Sequence, residues 1–152
     1  MQTDHILLVE DNPDDVTFTR RAFRKNNFGN TIIVATDGVA AVELLLPEAG
    51  AEPLRPTIVL LDINLPRMNG LEVLRRLRSE ASTRLLPIIM LTTSNDERDV
   101  LASYEFGANS FVRKPVSFDD FLHAVKCLGT FWLEVNEPAP VLAAHPGNRR
   151  TE

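Results

Sequence analysis

Leu60-Leu61-Asp62-Ile63-Asn64-Leu65-Pro66-Arg67-Met68-Asn69-Gly70 carries an apolar run straight into one carboxylate and then into a Pro, Asn and Gly turn. The pattern reads as a buried strand that ends in a loop, with Asp62 at its mouth. A carboxylate in that place has given up part of its hydration, and loops at the ends of rigid strands are where binding and catalytic groups are presented. An Asp there also serves as a helix cap or turn former, so this segment alone leaves Asp62 open between chemistry and local structure.

Runs of similar length recur outward from it, at Ile6 to Val9, Thr31 to Ala35, Thr57 to Leu61, Pro87 to Leu91 and Ser110 to Val112, with helical patterns between them. Residues apolar at successive rather than alternate positions imply strands covered on both faces, and the intervening segments are long enough for crossover helices. The expected fold is α/β: an open, doubly wound, five-stranded parallel sheet with helices on both faces. Asn12 before Pro13, with Asp14 and Asp15 in the first turn, marks one helix start. Ser94 with Glu97 reads as a capping box. Ser117 with Asp120 resembles one, with Val116 and Phe121 spaced as a hydrophobic staple. The last helix is expected from about Phe118 through Phe131 or a little beyond, because Pro138 and Pro140 stop its continuation. Pro47 to Pro56 reads as a surface loop.

The composition narrows the function classes. At 152 residues and 44% hydrophobic, one domain with a sizeable core is expected. A formal net charge of -5 provides no basic footprint for a nucleic-acid backbone. The one cysteine, Cys127, permits no intramolecular disulfide and makes no metal site by itself, which fits a reducing compartment. Apolar runs stay at strand length and the first residues lack a leader pattern, so a soluble cytoplasmic protein is expected.

The strand ends collect the chemistry. The first strand runs into Glu10-Asp11, the third into Asp62, the fourth into Thr92-Thr93 and the fifth into Lys114-Pro115. In an open parallel sheet these carboxyl ends share one edge, and ligands bind where the strand order reverses. Glu10, Asp11 and Asp62 are therefore expected to converge. Three clustered carboxylates repel one another unless a divalent cation neutralises them, and hard oxygen ligands suited to phosphate oxygens point to magnesium.

In this order and spacing, Glu10-Asp11, Asp62, Thr92 and Lys114-Pro115 resemble a bacterial response-regulator receiver domain, over about Asp4 to Phe131. The resemblance implies a flavodoxin-like fold with strand order 2-1-3-4-5, in which Asp62 accepts a phosphoryl group from the phosphohistidine of a sensor histidine kinase. It implies magnesium held by Asp11, Asp62 and the backbone carbonyl of Asn64, with Glu10 assisting through water. Thr92 and Lys114 would contact the transferred phosphoryl oxygens, and the Lys114-Pro115 bond would be cis. Thr92 and Phe111 would form the switch, the Thr92 hydroxyl swinging towards the phosphoryl group and the Phe111 ring turning into the space it leaves. The bland alternative for Phe111 is plain core. Hydrolysis of the acyl phosphate would make the modification self-limiting, tuned through Asn64 and Ser94, with Thr93 standing where many receivers carry a smaller residue.

Competing classes meet specific residues. A haloacid-dehalogenase-like phosphatase needs a second Asp two positions after its nucleophile, and Asn64 stands there. A dinucleotide enzyme needs a Gly-rich first turn, whereas Glu10-Asp11-Asn12-Pro13 has no glycine and repels pyrophosphate. A phosphorylation-independent binding module stays open. His5, His123 and His145 lack ligand-like spacing, and Arg20-Arg21 with Arg24-Lys25 is as well read as a kinase-docking surface as a solvated face.

A receiver domain is expected over 1-135, with an extended last helix, followed by a flexible tail over 136-152 and no output domain. At 100 degrees per residue, Phe118, Phe121, Leu122, Val125 and Trp132 form one apolar stripe, and Ala124, Cys127, Leu128, Phe131 and Val135 a second beside it. Two stripes exceed what one sheet face covers, so a homodimer through helix 4, strand 5, helix 5 and the C-terminal extension is expected, with Tyr104, Phe131, Trp132 and Leu133 at the surface. The alternative is a chain end that folds back over its own core. Phe131-Trp132-Leu133, Leu91-Thr92-Thr93-Ser94 and Ser103-Tyr104 also resemble the small response regulators that partner phytochrome histidine kinases, so a phytochrome kinase is the expected partner.

Overall fold

The computed structural model describes residues 4–140. Five strands, β1 (Ile6–Val9), β2 (Ile32–Ala35), β3 (Ile58–Leu61), β4 (Ile88–Thr92) and β5 (Ser110–Arg113), alternate with five helices. The helices are α1 (Pro13–Lys25), α2 (Gly38–Leu45), α3 (Gly70–Arg78), α4 (Glu97–Glu105) and α5 (Phe118–Gly129), and a π-helical segment, Thr130–Val135, continues the last. The strands are all parallel in the order β2-β1-β3-β4-β5. This is the doubly wound α/β sheet expected from the apolar runs.

Successive side chains of a strand point to opposite faces, so an unbroken apolar run feeds two cores. Leu7, Val9, Val59, Leu61, Ile88 and Met90 meet α2 and α3 through Ala41, Leu45, Val73, Leu74 and Leu77. Ile6, Leu8, Ile58, Leu60, Ile89 and Leu91 meet α1 and α5 through Ala22, Phe23, Phe121, Val125 and Leu128. Both layers exclude water almost completely, which fixes the strand ends, and the residues that follow them, at one edge.

Local chemistry sets the helix starts. The Asn12 side chain accepts from the backbone N–H groups of Asp14 and Asp15 at the head of α1. Asn69 and Glu72 form a reciprocal capping box at α3. Ser117 accepts from Asp120 N at α5 as expected, but Val116 is fully exposed, so it makes no staple with the buried Phe121. α4 is a second correction: Asp96, not Ser94, is its cap. The Ser94 hydroxyl is committed elsewhere, donating to Asp99 Oδ2 at 2.6 Å and accepting from Asp96 N at 3.3 Å. Among the described residues no peptide bond is cis. The Lys114–Pro115 bond is thus trans, the isomer that X-Pro bonds favour by about 0.5–1 kcal/mol, contrary to the expectation from resemblance. His145 and the tail beyond residue 140 lie outside the described residues.

Candidate functional site

The edge where the strands end brings the expected residues together. Glu10 follows β1 and is 2% exposed, Asp62 follows β3 and is 8% exposed, and Thr92 closes β4 wholly buried. The backbone holds them rigidly: Asp62 N donates to Val9 O at 3.1 Å, Glu10 N to Ala35 O at 2.9 Å, and Lys114 N to Thr92 O at 2.8 Å. Glu10, Asp11 and Asp62 each place a carboxylate oxygen within 4.8 Å of the others. Three hard oxygens at that spacing fit one divalent cation such as magnesium or manganese. Asn64 is exposed in the loop after Asp62, two residues from the cluster.

Lys114 is the counter-charge. Its ammonium donates to Glu10 Oε1 and to Asp15 Oδ2, the latter at 3.1 Å, and stands 3.7 Å from Asp62 Oδ2. Burial alone would depress the lysine, but Glu10, Asp62 and Asp15 outweigh it and hold the ammonium above its ordinary value. Burial pushes the Glu10 carboxyl up, with Lys114 opposing. With one ammonium paired to Glu10, Asp15 and Asp62, and Asp11 beside them in the cluster, the site keeps excess negative charge, the condition that favours a divalent cation.

The hydroxyl of Thr92 accepts from Ser94 N at 3.3 Å. Phe111 is half-buried and packs on the sheet face that carries α2 and α3. Asp62 Oδ1 accepts from its neighbour Ile63 N at 2.7 Å, and Glu10 Oε2 from Asn12 N at 3.1 Å, so each carboxylate is oriented by backbone as well as by charge. Asp15 is the residue that sequence reasoning undervalued, reading it chiefly as part of a helix start, whereas its carboxylate accepts from the Lys114 ammonium. The signal for its contact with Lys114 was its place in the first turn of α1, where side chains lean back towards the helix N-terminus and so towards the strand ends.

The residues expected at a partner surface divide. Tyr104 and Phe131 are about half exposed, at 50% and 47%. Trp132 and Leu133 pack instead against the core between α1 and α5, so the segment that follows α5 covers the core in part. Among the described residues no helix is long and apolar enough to cross a membrane.

The family model of the response regulator receiver domain matches residues 6–126. Response regulator Rcp1 of Synechocystis sp. is 35% identical over 130 residues, covering 85% of this chain and 88% of its own. The Mn(2+)-bound structure of Rcp1 superposes with a TM-score of 0.82 at 33% identity, over 91% of this chain and 100% of that one. The phosphorylated cyanobacterial phytochrome response regulator RcpA superposes with a TM-score of 0.81 at 28% identity, over 90% of this chain and 99% of that one. The probable methanogenesis regulatory protein FilR2 of Methanothrix harundinacea is 39% identical over 137 residues, 89% of this chain and 88% of its own. With the acidic cluster, Thr92 and Lys114 at the ends of a 2-1-3-4-5 sheet and the family match spanning β1 to α5, the chain belongs to the response-regulator receiver family.

Proposed function

We propose that the chain is a single-domain response regulator that accepts a phosphoryl group on Asp62 from a sensor histidine kinase, of the phytochrome class. The observation that carries this reading is the convergence of Glu10, Asp11 and Asp62 oxygens within 4.8 Å, beside the Lys114 ammonium. An Asp62 oxygen attacks phosphorus and the P–N bond of the phosphohistidine breaks; its electron pair goes to that ring nitrogen, and because the other ring nitrogen already carries a proton the group leaves as neutral imidazole. Such a transfer needs alignment and charge neutralisation more than proton transfer. Asp11, Asp62 and the Asn64 backbone carbonyl would hold magnesium, with Glu10 acting through water, and the ion supplies positive charge to the phosphoryl oxygens. Lys114 and Thr92 take the remaining oxygens. To do so Thr92 exchanges its bond to Ser94 N for one to the phosphoryl group, and Phe111 follows it, altering the face of α4, β5 and α5.

That face, with Tyr104, Phe131 and Val135 exposed on it, is the proposed homodimer surface, and of the expected residues Trp132 and Leu133 drop out because they pack on the core. The proposed receiver domain spans 1-135, with 136-152 as its tail, in the cytoplasm. Supporting the phytochrome class is the likeness to RcpA, a phytochrome response regulator in its phosphorylated form, while the likeness to Rcp1 in a manganese-bound form supports a divalent cation. Incubation with phosphoramidate and magnesium followed by intact-mass measurement tests the central claim: one added phosphoryl group is expected on the wild type and none on Asp62→Asn. Undiminished labelling of Asp62→Asn refutes it. Transfer from a phytochrome kinase should exceed transfer from an unrelated sensor kinase, and the reverse order rejects the partner. Sedimentation with and without beryllofluoride tests the dimer.

A further inference from the structure

We propose that Asp15 is a positioning residue for the transfer: its carboxylate holds the Lys114 ammonium on the α1 side of the site and weakens the capture of anionic phosphodonors. The inference rests on the phosphoacceptor reading and adds a residue which that reading does not use. Lys114 Nζ stands 3.1 Å from Asp15 Oδ2 but 3.7 Å from Asp62 Oδ2. The first distance is a hydrogen bond and the second is an ion pair without one. The two hydrogen bonds of the lysine side chain therefore go to Glu10 and Asp15, not to the acceptor. The lysine side chain is only 7% exposed, so water does not readily take the place of either partner.

Asp15 differs from Glu10 in standing outside the three-carboxylate cluster. A cation bound among those three does not reach Asp15, whose charge is then offset only by the ammonium it shares with Glu10. The first turn of α1 fixes it there: Asp15 N donates to Asn12 Oδ1 at 3.4 Å, and its carbonyl accepts from the Thr19 hydroxyl at 2.7 Å. Asp15 and Lys114 also share the wall of one cleft of about 100 Å³ with Phe18, Thr93, Ser117 and Phe118. A phosphodonor that approaches the ammonium meets a negative charge beside the positive one. When an Asp62 oxygen bonds to phosphorus and the leaving group departs with the electron pair of the broken bond, Lys114 has to exchange Asp15 for a phosphoryl oxygen.

Asp15→Asn keeps an oxygen acceptor in place and removes the charge. Phosphorylation of the full chain is followed by intact mass in saturating magnesium, with acetyl phosphate, chiefly a dianion at neutral pH, and with phosphoramidate, chiefly a monoanion. For Asp15→Asn the half-saturating concentration of acetyl phosphate should fall about three- to tenfold, the range for one close, partly solvated like charge. The fall should be smaller for phosphoramidate and should shrink at high salt. It should lie in half-saturation rather than in maximal rate, and Asp15→Glu, which restores the charge, should restore the wild-type contrast between the donors. Half-saturation unchanged for both donors overturns the inference. So does an equal change for both that Asp15→Glu fails to reverse, because that is a structural effect. Absence of labelling on the wild type itself overturns the phosphoacceptor reading beneath it, and is told apart because it needs no variant.

Discussion

Gly70→Ala tests whether the position of Asp62 depends on how closely α3 approaches the β3 loop. Gly70 opens α3, and its N–H donates to Ile63 O at 2.7 Å. A Cβ added there would lie 2.0 Å from the Asp62 carbonyl oxygen, 2.8 Å from Ile63 Cα and 2.9 Å from the Asp62 carbonyl carbon. All three are backbone atoms of the loop that carries Asp62, so no side chain can turn aside, and the gap has to open by about 1 Å before the contact is tolerable. Overpacking of this kind costs about 1–3 kcal/mol, which lowers the melting temperature by roughly 3–10 °C in a chain of this size. A displacement of about 1 Å at a reacting group also costs on the order of 100-fold in rate. The expected outcome is a folded variant with a lower melting temperature and phosphoramidate labelling slowed far beyond what the stability loss explains. Gly29→Ala is the control, since its Cβ meets nothing within 4 Å, and should stay within about 0.5 kcal/mol of the wild type. If Gly70→Ala melts and labels like the Gly29→Ala control, the packing argument for Asp62 is wrong.

Magnesium should raise the melting temperature, by the equivalent of about 2.7 kcal/mol at 100 times its dissociation constant, and Asp11→Asn should abolish most of that gain while leaving the metal-free protein no less stable. Arg78→Ala should cost about 2–4 kcal/mol in chemical denaturation, because the guanidinium donates to the carbonyls of Gly107 and Leu86 and to Asn109 Oδ1 at 2.7–2.8 Å; Arg78→Lys, with no planar fork, should recover little of it. The side-chain hydrogen bond from Arg98 holds the Asp96 carboxyl below its ordinary 3.8. Its contribution to stability is thus present above 3.8 and lost as pH falls through the lower folded value. An NMR titration should see Asp96 move back up in Arg98→Ala. In sedimentation, Phe131→Asp should weaken any self-association more than it lowers the melting temperature, whereas Leu133→Asp, directed at the core, should do the opposite.

The sheet was legible because its information is local. Four successive apolar residues in β1 and in β3, all buried, state in sequence that both faces are covered. The cluster was legible for a related reason: once the strands are parallel, whatever follows them shares an edge, and Glu10, Asp11, Asp62, Thr92 and Lys114 needed no further long-range information. Arg78 shows where this ends. It looks like one of several arginines closing α3, yet it ties that helix to Gly107 and Asn109, 29 and 31 residues on. The start of α4 was missed by two residues for the opposite reason, since Ser94 and Asp96 are both good caps and the choice depends on Asp99 drawing the Ser94 hydroxyl away.

The end of the chain shows how a correct period leads to an incomplete surface. The two stripes on the last helix assume 100 degrees per residue throughout, but from Thr130 the backbone widens into a π-helical segment closed by Asn136 N donating to Phe131 O at 2.7 Å. An i to i+5 bond changes the angle at which each later side chain leaves the axis. Leu133, absent from both stripes, turns inward beside Trp132 and joins Phe28 against the core. Gly129 has the space for this only because it lacks a Cβ, which would meet the Phe28 ring at 2.4 Å. Phe131 and Val135 are left outside at 47% and 65% exposure, with Leu101 and Tyr104 on α4. The exposed apolar surface is thus narrower than the two stripes imply: part of the excess hydrophobicity of the last helix is spent on the receiver's own α1–α5 core, and what stays outside is Phe131, Val135 and the outer face of α4, so that the proposed dimer would have to depend chiefly on these.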